Sequence, residues 1–268
     1  MKGSIRRISA MIIRYVYLHK RSIARTLELI FWPVMELVLW GFVSIYVKSI
    51  VQSQASNIIY ILINGMIFWD ILYRCQQGVS LSFMEEIWTQ NIINLLASPL
   101  KIWEWLLATY IYGMLKTIII TCILTILALT FYHYNLIGNL GFYLIPLAAN
   151  LFLFGWAVGI FTSGLIIRWG YAAEALIWGI PFLIQPLSAI YYPLSVLPEW
   201  LQVIAKCLPS TYVFEGMRAI IKNGVCPIHY FYTAFILNII FFLLGSLFFN
   251  WIFRKARESG KLVRLGLD

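Results

Sequence analysis

The sequence predicts an all-α integral membrane protein with six transmembrane helices, and three observations carry that prediction. The first is composition. Of 268 residues, 62% are hydrophobic and only 12% charged, against about 45–50% and about 25% in soluble domains. So few charges cannot cover the surface of a water-soluble body of this size. The second is grouping: apolar residues gather into six runs, 29–47, 58–80, 106–131, 140–166, 173–192 and 228–253, each near the ~20 residues a crossing helix needs. The third is the placement of the bases, which collect at the two ends and in alternate connections. That pattern orients a membrane protein, and it argues against nucleic acid as the reason for a net charge of +9.

Six crossings put both termini on one side. Arg6, Arg7, Arg14, Lys20, Arg21 and Arg25 at one end, Lys101 and Arg168 in the second and fourth connections, and Arg254, Lys255 and Arg257 at the other end share that side. The opposite side holds only Lys48, Lys206, Arg218 and Lys222. Both termini are therefore expected in the cytoplasm. No cleavable signal is expected, because Arg14 interrupts the first apolar stretch and Lys20, Arg21 and Arg25 follow it. No repeat of fixed period and no low-complexity tract is visible, so residues 1–268 read as a single membrane domain.

Residues 1–27 precede the first span. Wound at about 100° per residue, Ile5, Ile8, Ile12, Tyr15, Val16 and Ile23 fall on one side, while Arg6, Arg7, Arg14, Lys20, Arg21 and Arg25 gather on the other. This predicts an amphipathic helix lying in the membrane interface, its bases toward anionic headgroups. The first span, 29–47, carries Pro33 and Glu36, and the second, 58–80, carries Asp70 and Arg74.

Residues 83–100 resemble neither neighbouring span. Winding 84–96 as one helix lines up Met84, Trp88, Ile92 and Leu95 as an apolar ridge, with Glu86, Gln90 and Asn94 at i, i+4 and i+8 as a polar one. Ser98-Pro99 then stops the helix, since a residue before proline is pushed out of the α region. A helix lying parallel to the membrane, with its polar ridge toward the cytosol, is expected.

The third to fifth spans follow with short connections. Residues 193–227 do not: Pro193, Pro198, Pro209 and Pro227 punctuate two helix-capable pieces, 199–208 and 211–222. Pieces of about 10–14 residues are too short to cross, so they are expected as outer re-entrant or interfacial helices. The last span, 228–253, closes the domain.

Ionisable groups at membrane depth are costly and mark function or pairing. Asp70 and Arg74 stand at i, i+4 and read as a self-neutralising pair. Glu36 reads equally as part of a dimer seam or pathway, or as a structural partner of Lys116. Trp156 and Trp178 lie well inside their spans, where interface anchoring does not explain them. Glu36, Lys116, Trp156 and Trp178 are thus the pathway or seam candidates. Cys75, Cys122, Cys207 and Cys226 have no metal-ligand spacing, and the three histidines are far apart. Cys207 and Cys226 share the outer side, where a disulfide is chemically allowed.

The order of these pieces is specific. A basic amphipathic N-terminus, FWPVMELVLWG in the first span, EEIWTQNIINLLASPL between the second and third, and YPLSVLPEWLQVIAKCLPSTYVFEGMR before the last together resemble the type 2 ABC exporter permeases. These are the transmembrane subunits that export polysaccharides, lipids and drugs, and the likeness runs over essentially the whole chain. It implies that Met84 to Leu96 is a coupling helix against a separate ABC ATP-binding subunit, with Glu85, Glu86, Gln90, Asn91 and Asn94 as polar contacts. It also implies a homodimer or a paired half-permease in the cytoplasmic (inner) membrane, surrounded by lipid.

The residues exclude rivals independently. No G-x-x-x-x-G-K-[ST] occurs, and the sole Gly-Lys, Gly260-Lys261, lacks the preceding glycine loop. No H-E-x-x-H is present, and no nucleophile, base and orienter assemble around the isolated histidines. No cofactor and no enzymatic activity are therefore expected of this chain. An ion-coupled secondary transporter would favour paired broken spans in two related halves, which the sequence lacks. A membrane-embedded transferase finds only Glu85-Glu86 as clustered acids.

Overall fold

The computed structural model describes residues 2–50, 55–260 and 262. Among the described residues every regular element is helical: α1 (Lys2–Lys20), α2 (Ile23–Ile50), α3 (Ala55–Trp88), α4 (Ile92–Ala97), α5 (Ile102–Tyr132), α6 (Leu136–Leu140), α7 (Leu144–Trp169), α8 (Glu174–Leu187), α9 (Glu199–Lys206), α10 (Pro209–Asn223) and α11 (Ile228–Glu258). Short 3-10 turns join α6 to α7 and α7 to α8, and another precedes α9.

Among the described residues five segments are long and apolar enough to cross a membrane: Arg25–Val47, Ile58–Trp88, Ile102–Tyr132, Leu136–Leu187 and Ile228–Glu258. The predicted fourth and fifth spans, 140–166 and 173–192, both lie in the 52-residue Leu136–Leu187 segment. It turns at Gly170, whose φ of 59° suits glycine. The helix after the turn is shorter than expected. α8 has 14 residues with Pro181 and Pro186 inside it, which makes about 21 Å of helix against ~30 Å of hydrocarbon.

The bundle is organised around α3. Most of α3 is buried, whereas α2, α5 and α11 turn most of their surface outward, exposing residues such as Phe42, Ile119, Ile126, Leu243 and Leu247. Outward apolar helices around a buried one are what lipid as solvent permits. Missing side chains let the neighbours of α3 come close. A Cβ on Gly78 would stand 2.6 Å from the Gly113 Cα on α5. On α7, Gly155 and Gly159 meet α3 in the same way, at Cys75 and Val79. Close backbone approach at small residues is the usual basis of helix association in membranes.

Two apolar cores result. One joins Phe68, Leu72, Leu124, Phe154 and Phe214 around the middle of α3. The other joins Tyr15, Phe83, Trp105, Ile166 and Phe249 where α1 meets the ends of α3, α5 and α11. The segment 193–227 does contain two helices, α9 and α10, close to the predicted pieces. α10 is anchored by buried Phe214, Met217 and Arg218. Cys207 and Cys226 are both free thiols, the first exposed and the second buried.

Candidate functional site

The end of the bundle formed by α1, α4 and the tips of α3 and α5 is where the sequence placed its polar contacts. The expected single helix over 84–96 is not there. α3 ends at Trp88, and Gln90 adopts a left-handed φ of 53°. The Asn91 N–H reaches back to the Glu86 carbonyl at 2.9 Å and the Gln90 N–H to the Ile87 carbonyl at 2.9 Å. This is the hydrogen-bond pattern of a Schellman helix stop, with Gln90 where glycine is usual. A new, six-residue α4 then starts, and Ser98, extended at ψ 162° before Pro99, ends it as expected.

The break reassigns the two ridges. Met84, Ile92 and Leu95 are buried as expected, but Trp88 is 40% exposed. Glu86 is buried and does not face solvent as the single-helix reading required, and Glu85, a polar contact implied by the resemblance, is buried too. Arg14 of α1 holds Glu86 through both terminal nitrogens, Nη1 on Oε1 and Nη2 on Oε2, the second at 2.9 Å. Arg25 stands 3.4 Å from Glu85. A third pair closes the set: Arg7 donates from Nε and Nη2 to Glu104 at 2.7 and 2.6 Å. Glu104 is fully buried and also accepts from the Lys101 N–H at 3.0 Å. That bidentate contact raises the Arg7 pKa above its usual value.

Arg7, Arg14 and Arg25 are thus turned toward the protein, although winding residues 1–27 by period put them on a headgroup side. The inward face of α1 is instead Met11 and Tyr15, flanked by Arg7 and Arg14, while Ile5, Val16 and Ile23 are exposed. The reason is local charge. Three buried carboxylates at the ends of α3 and α5 need cations, and desolvated acids are tolerated only when paired. Aromatics complete the joint. Trp105 Nε1 donates to the Tyr15 hydroxyl at 2.8 Å, Tyr15 stacks on Tyr112 at 5.4 Å, and Trp105 stacks on Phe83 at 4.0 Å. His19 packs edge-on to Tyr112 at 5.6 Å. Burial, helped by nearby Lys116 and Arg25, lowers its pKa to about 4.

From this joint a chain of polar contacts leads outward. Asn91 Nδ2 donates to Glu86 Oε2 at 2.7 Å, and Asn94 Nδ2 donates to Asn91 Oδ1 at 3.2 Å. Asn94 and Gln90 are exposed, with Trp88, Ile93 and Leu96 exposed around them. The result is a small amide-and-apolar surface wired through Asn91 and Glu86 to Arg14 on α1.

The pathway or seam candidates do not form one cluster: Lys116 and Trp178 border the joint, whereas Glu36 and Trp156 lie elsewhere. Asp70 and Arg74 pair as expected, Arg74 Nε donating to Oδ1 and Oδ2 at 2.9 and 2.8 Å. Glu36 is half-buried, makes no hydrogen bond or ion pair among the described residues, and lies in electrostatic reach of Asp70 and Arg74. It is not partnered by Lys116. Lys116 sits 4.8 Å from the Tyr112 ring, near Glu85 and Arg25. Trp156 stacks on Tyr110 at 5.1 Å between α7 and α5, and Trp178 packs against the core around Phe83. Glu104 was not singled out by sequence, and Arg7, Arg14 and Tyr15 were read only as the two faces of an interfacial helix. The available signal was the i, i+7 spacing of Arg7 and Arg14, set against acids at Glu86 and Glu104 in a chain with only 11 acids.

In comparison with known proteins, a family model described as ABC-2 type transporter matches residues 13–222. No curated protein matches the chain. The matched stretch begins inside α1, spans the joint and the surface beside it, and ends at the last turn of α10.

Proposed function

Because the chain belongs to the ABC-2 type transporter family and is a transport permease of the membrane, we propose that it is the transmembrane half of an ATP-driven exporter. A separate ATP-binding subunit docks on the surface from Trp88 to Pro99, and two copies of this chain complete the passage. The cargo is an amphiphilic or lipid-linked molecule. In this reading the chain crosses in α7, turns at Gly170 and returns through α8 together with the non-helical stretch 188–193, giving six crossings with both termini in the cytoplasm, and α9 and α10 stand on the outer side.

One observation carries the proposal: the exposed Asn94 is connected through Asn91 and the buried Glu86 to Arg14 on α1. A partner pressing on α4 therefore acts on α1 and α3 together. The coupling element is then the Gln90 turn with α4, and the contacts are Gln90, Asn94 and the exposed apolar residues beside them. Glu85 and Glu86 serve as the internal fastening, and Asn91 links the two. The chain carries no phosphate-binding loop, so nucleotide energy must come from the partner.

The test is nucleotide dependence. The purified permease alone should give no saturable ATP binding, and ATP should drive cargo efflux from proteoliposomes only when the separate ATPase is added. Efflux driven by an ion gradient without ATPase would replace this reading with the secondary-transporter one.

A further inference from the structure

A second concave feature shares no residue with the α4 surface. It has a volume of about 430 Å³ and opens where the 193–195 loop, α9, α10 and the start of α11 meet. Its walls include Gln202, Lys206, Tyr212, Glu215 and Tyr230.

The two charges in it are not equivalent. Glu215 is charge-paired: Oε1 accepts from Arg218 Nη2 at 2.8 Å and from the Leu194 N–H at 2.7 Å. Arg218 is itself buried and donates to the Ile190 carbonyl at 3.1 Å. These bonds pin the 190–194 loop to α10 and hold one wall rigid. Lys206, by contrast, is exposed and has no ion pair or hydrogen bond among the described residues. The cleft therefore presents one uncompensated positive charge. Beside it stand two half-buried tyrosines whose rings are 6.4 Å apart, Tyr212 and Tyr230. The Gln202 amide, whose nitrogen donates to the Leu197 carbonyl at 2.8 Å, retains an oxygen to accept with. Flat aromatic faces, phenol and amide groups and one free ammonium are the recognition set for a hydroxyl-rich ring that carries an anionic group. The volume falls within the range of small-molecule sites, and it would hold one or two sugar rings.

We propose that this cleft is a binding subsite for an acidic saccharide, a sugar ring bearing a carboxylate or phosphate, with Lys206 meeting the anion and Tyr212 and Tyr230 flanking the ring. The inference rests on the export-permease reading only in placing the cleft on the exit side, where it would take up the leading end of an emerging glycan.

The full-length permease in nanodiscs is titrated calorimetrically with two tetrasaccharides, the carboxylated hyaluronan tetramer and neutral chitotetraose. The carboxylated probe should bind, more weakly as salt rises, and chitotetraose should bind about ten-fold less well or not at all. Lys206→Glu should abolish binding of the acidic probe, and Lys206→Arg should retain it. Both changes fall on an exposed side chain, so folding is preserved. Tyr230→Phe should weaken the acidic probe without removing its salt dependence. Three results overturn the proposal: no binding to the wild type, equal binding of the two probes, or indifference to Lys206→Glu. Because the titration needs no ATPase, a negative result with ATP-driven efflux intact removes only the cleft assignment. Positive binding without ATP-driven efflux leaves the cleft standing and removes the exporter reading.

Discussion

Replacing Glu86 with alanine separates fastening from docking. The carboxylate is 1% exposed and takes both Arg14 nitrogens and the Asn91 amide. Removing one partner of a buried ion pair costs about 3–5 kcal/mol. Arg14 keeps a third of its side chain in solvent, so water recovers part of that, and about 2–3 kcal/mol remains. Asn94→Ala deletes a single 3.2 Å bond on an exposed residue, worth under about 0.5 kcal/mol of stability. The two variants should therefore fail differently. Glu86→Ala should lower the thermal midpoint of the detergent-solubilised permease and its yield in membranes, as should Arg14→Ala. The double variant Arg14→Ala/Glu86→Ala should be less destabilised than the sum of the two, because each single leaves a stranded charge. Asn94→Ala should keep normal yield and midpoint, yet recover about ten-fold less ATPase on co-purification at matched permease levels. An unchanged midpoint for Glu86→Ala, or strict additivity in the cycle, would refute the fastening role. Full ATPase recovery and transport with Asn94→Ala would refute the docking role.

Three further outcomes are expected. Gly78→Leu should abolish accumulation of folded permease, because even a Cβ there would stand 2.6 Å from the Gly113 Cα, whereas Gly179→Ala, with nothing within 4 Å, should be silent; equal yields would contradict the close α3–α5 approach. His19 is depressed from 6.5 to about 4 in the folded protein, so its contribution is intact above pH 6.5 and is lost as the pH falls toward 4. The thermal midpoint of His19→Gln should accordingly fall less than that of the wild type across this window, and parallel curves would count against the burial of the imidazole. Reporters at Gln202 and at the His133–Tyr134 junction should read outside and those at Gln90 and Trp169 inside; labelling of Gln90 by an impermeant reagent in intact cells would reverse the topology and with it the docking surface.

Much of the architecture was legible because lipid imposes coarse, long-range patterns. Five of the six apolar runs correspond to long helices with shifted ends, and α9 and α10 lie close to the pieces between Pro198, Pro209 and Pro227. The ends moved because periodicity does not mark where a helix meets the interface. α2 begins at Ile23, six residues before its apolar run, and α3 continues to Trp88, eight residues past the end of the run at 58–80. The length of α8 was misread for a different reason. The run 173–192 has apolar residues enough to cross, but two prolines and a stop at Ser188 leave 14 helical residues. Hydropathy alone registers none of that.

The site was less legible, and Gln90 is the main cause. A glycine there would have announced a helix stop. A glutamine in the left-handed region leaves the 3.6-residue pattern apparently unbroken through Leu96, and winding across it brings Glu86 into line with Asn94. Once the chain turns, the two face different surroundings, one buried against Arg14 and the other exposed. The same error of surroundings affected α1. Its bases look like headgroup contacts when the helix is wound in isolation, because nothing in residues 1–27 reveals that Glu85, Glu86 and Glu104 are buried beside it. With Arg7 and Arg14 of α1, and Arg25 at the start of α2, fastened to three acids, α1 is held against the bundle as one of its walls. A displacement of α4 that reaches Glu86 must then carry α1 with it, since sliding α1 alone would strand the Glu86 carboxylate away from water.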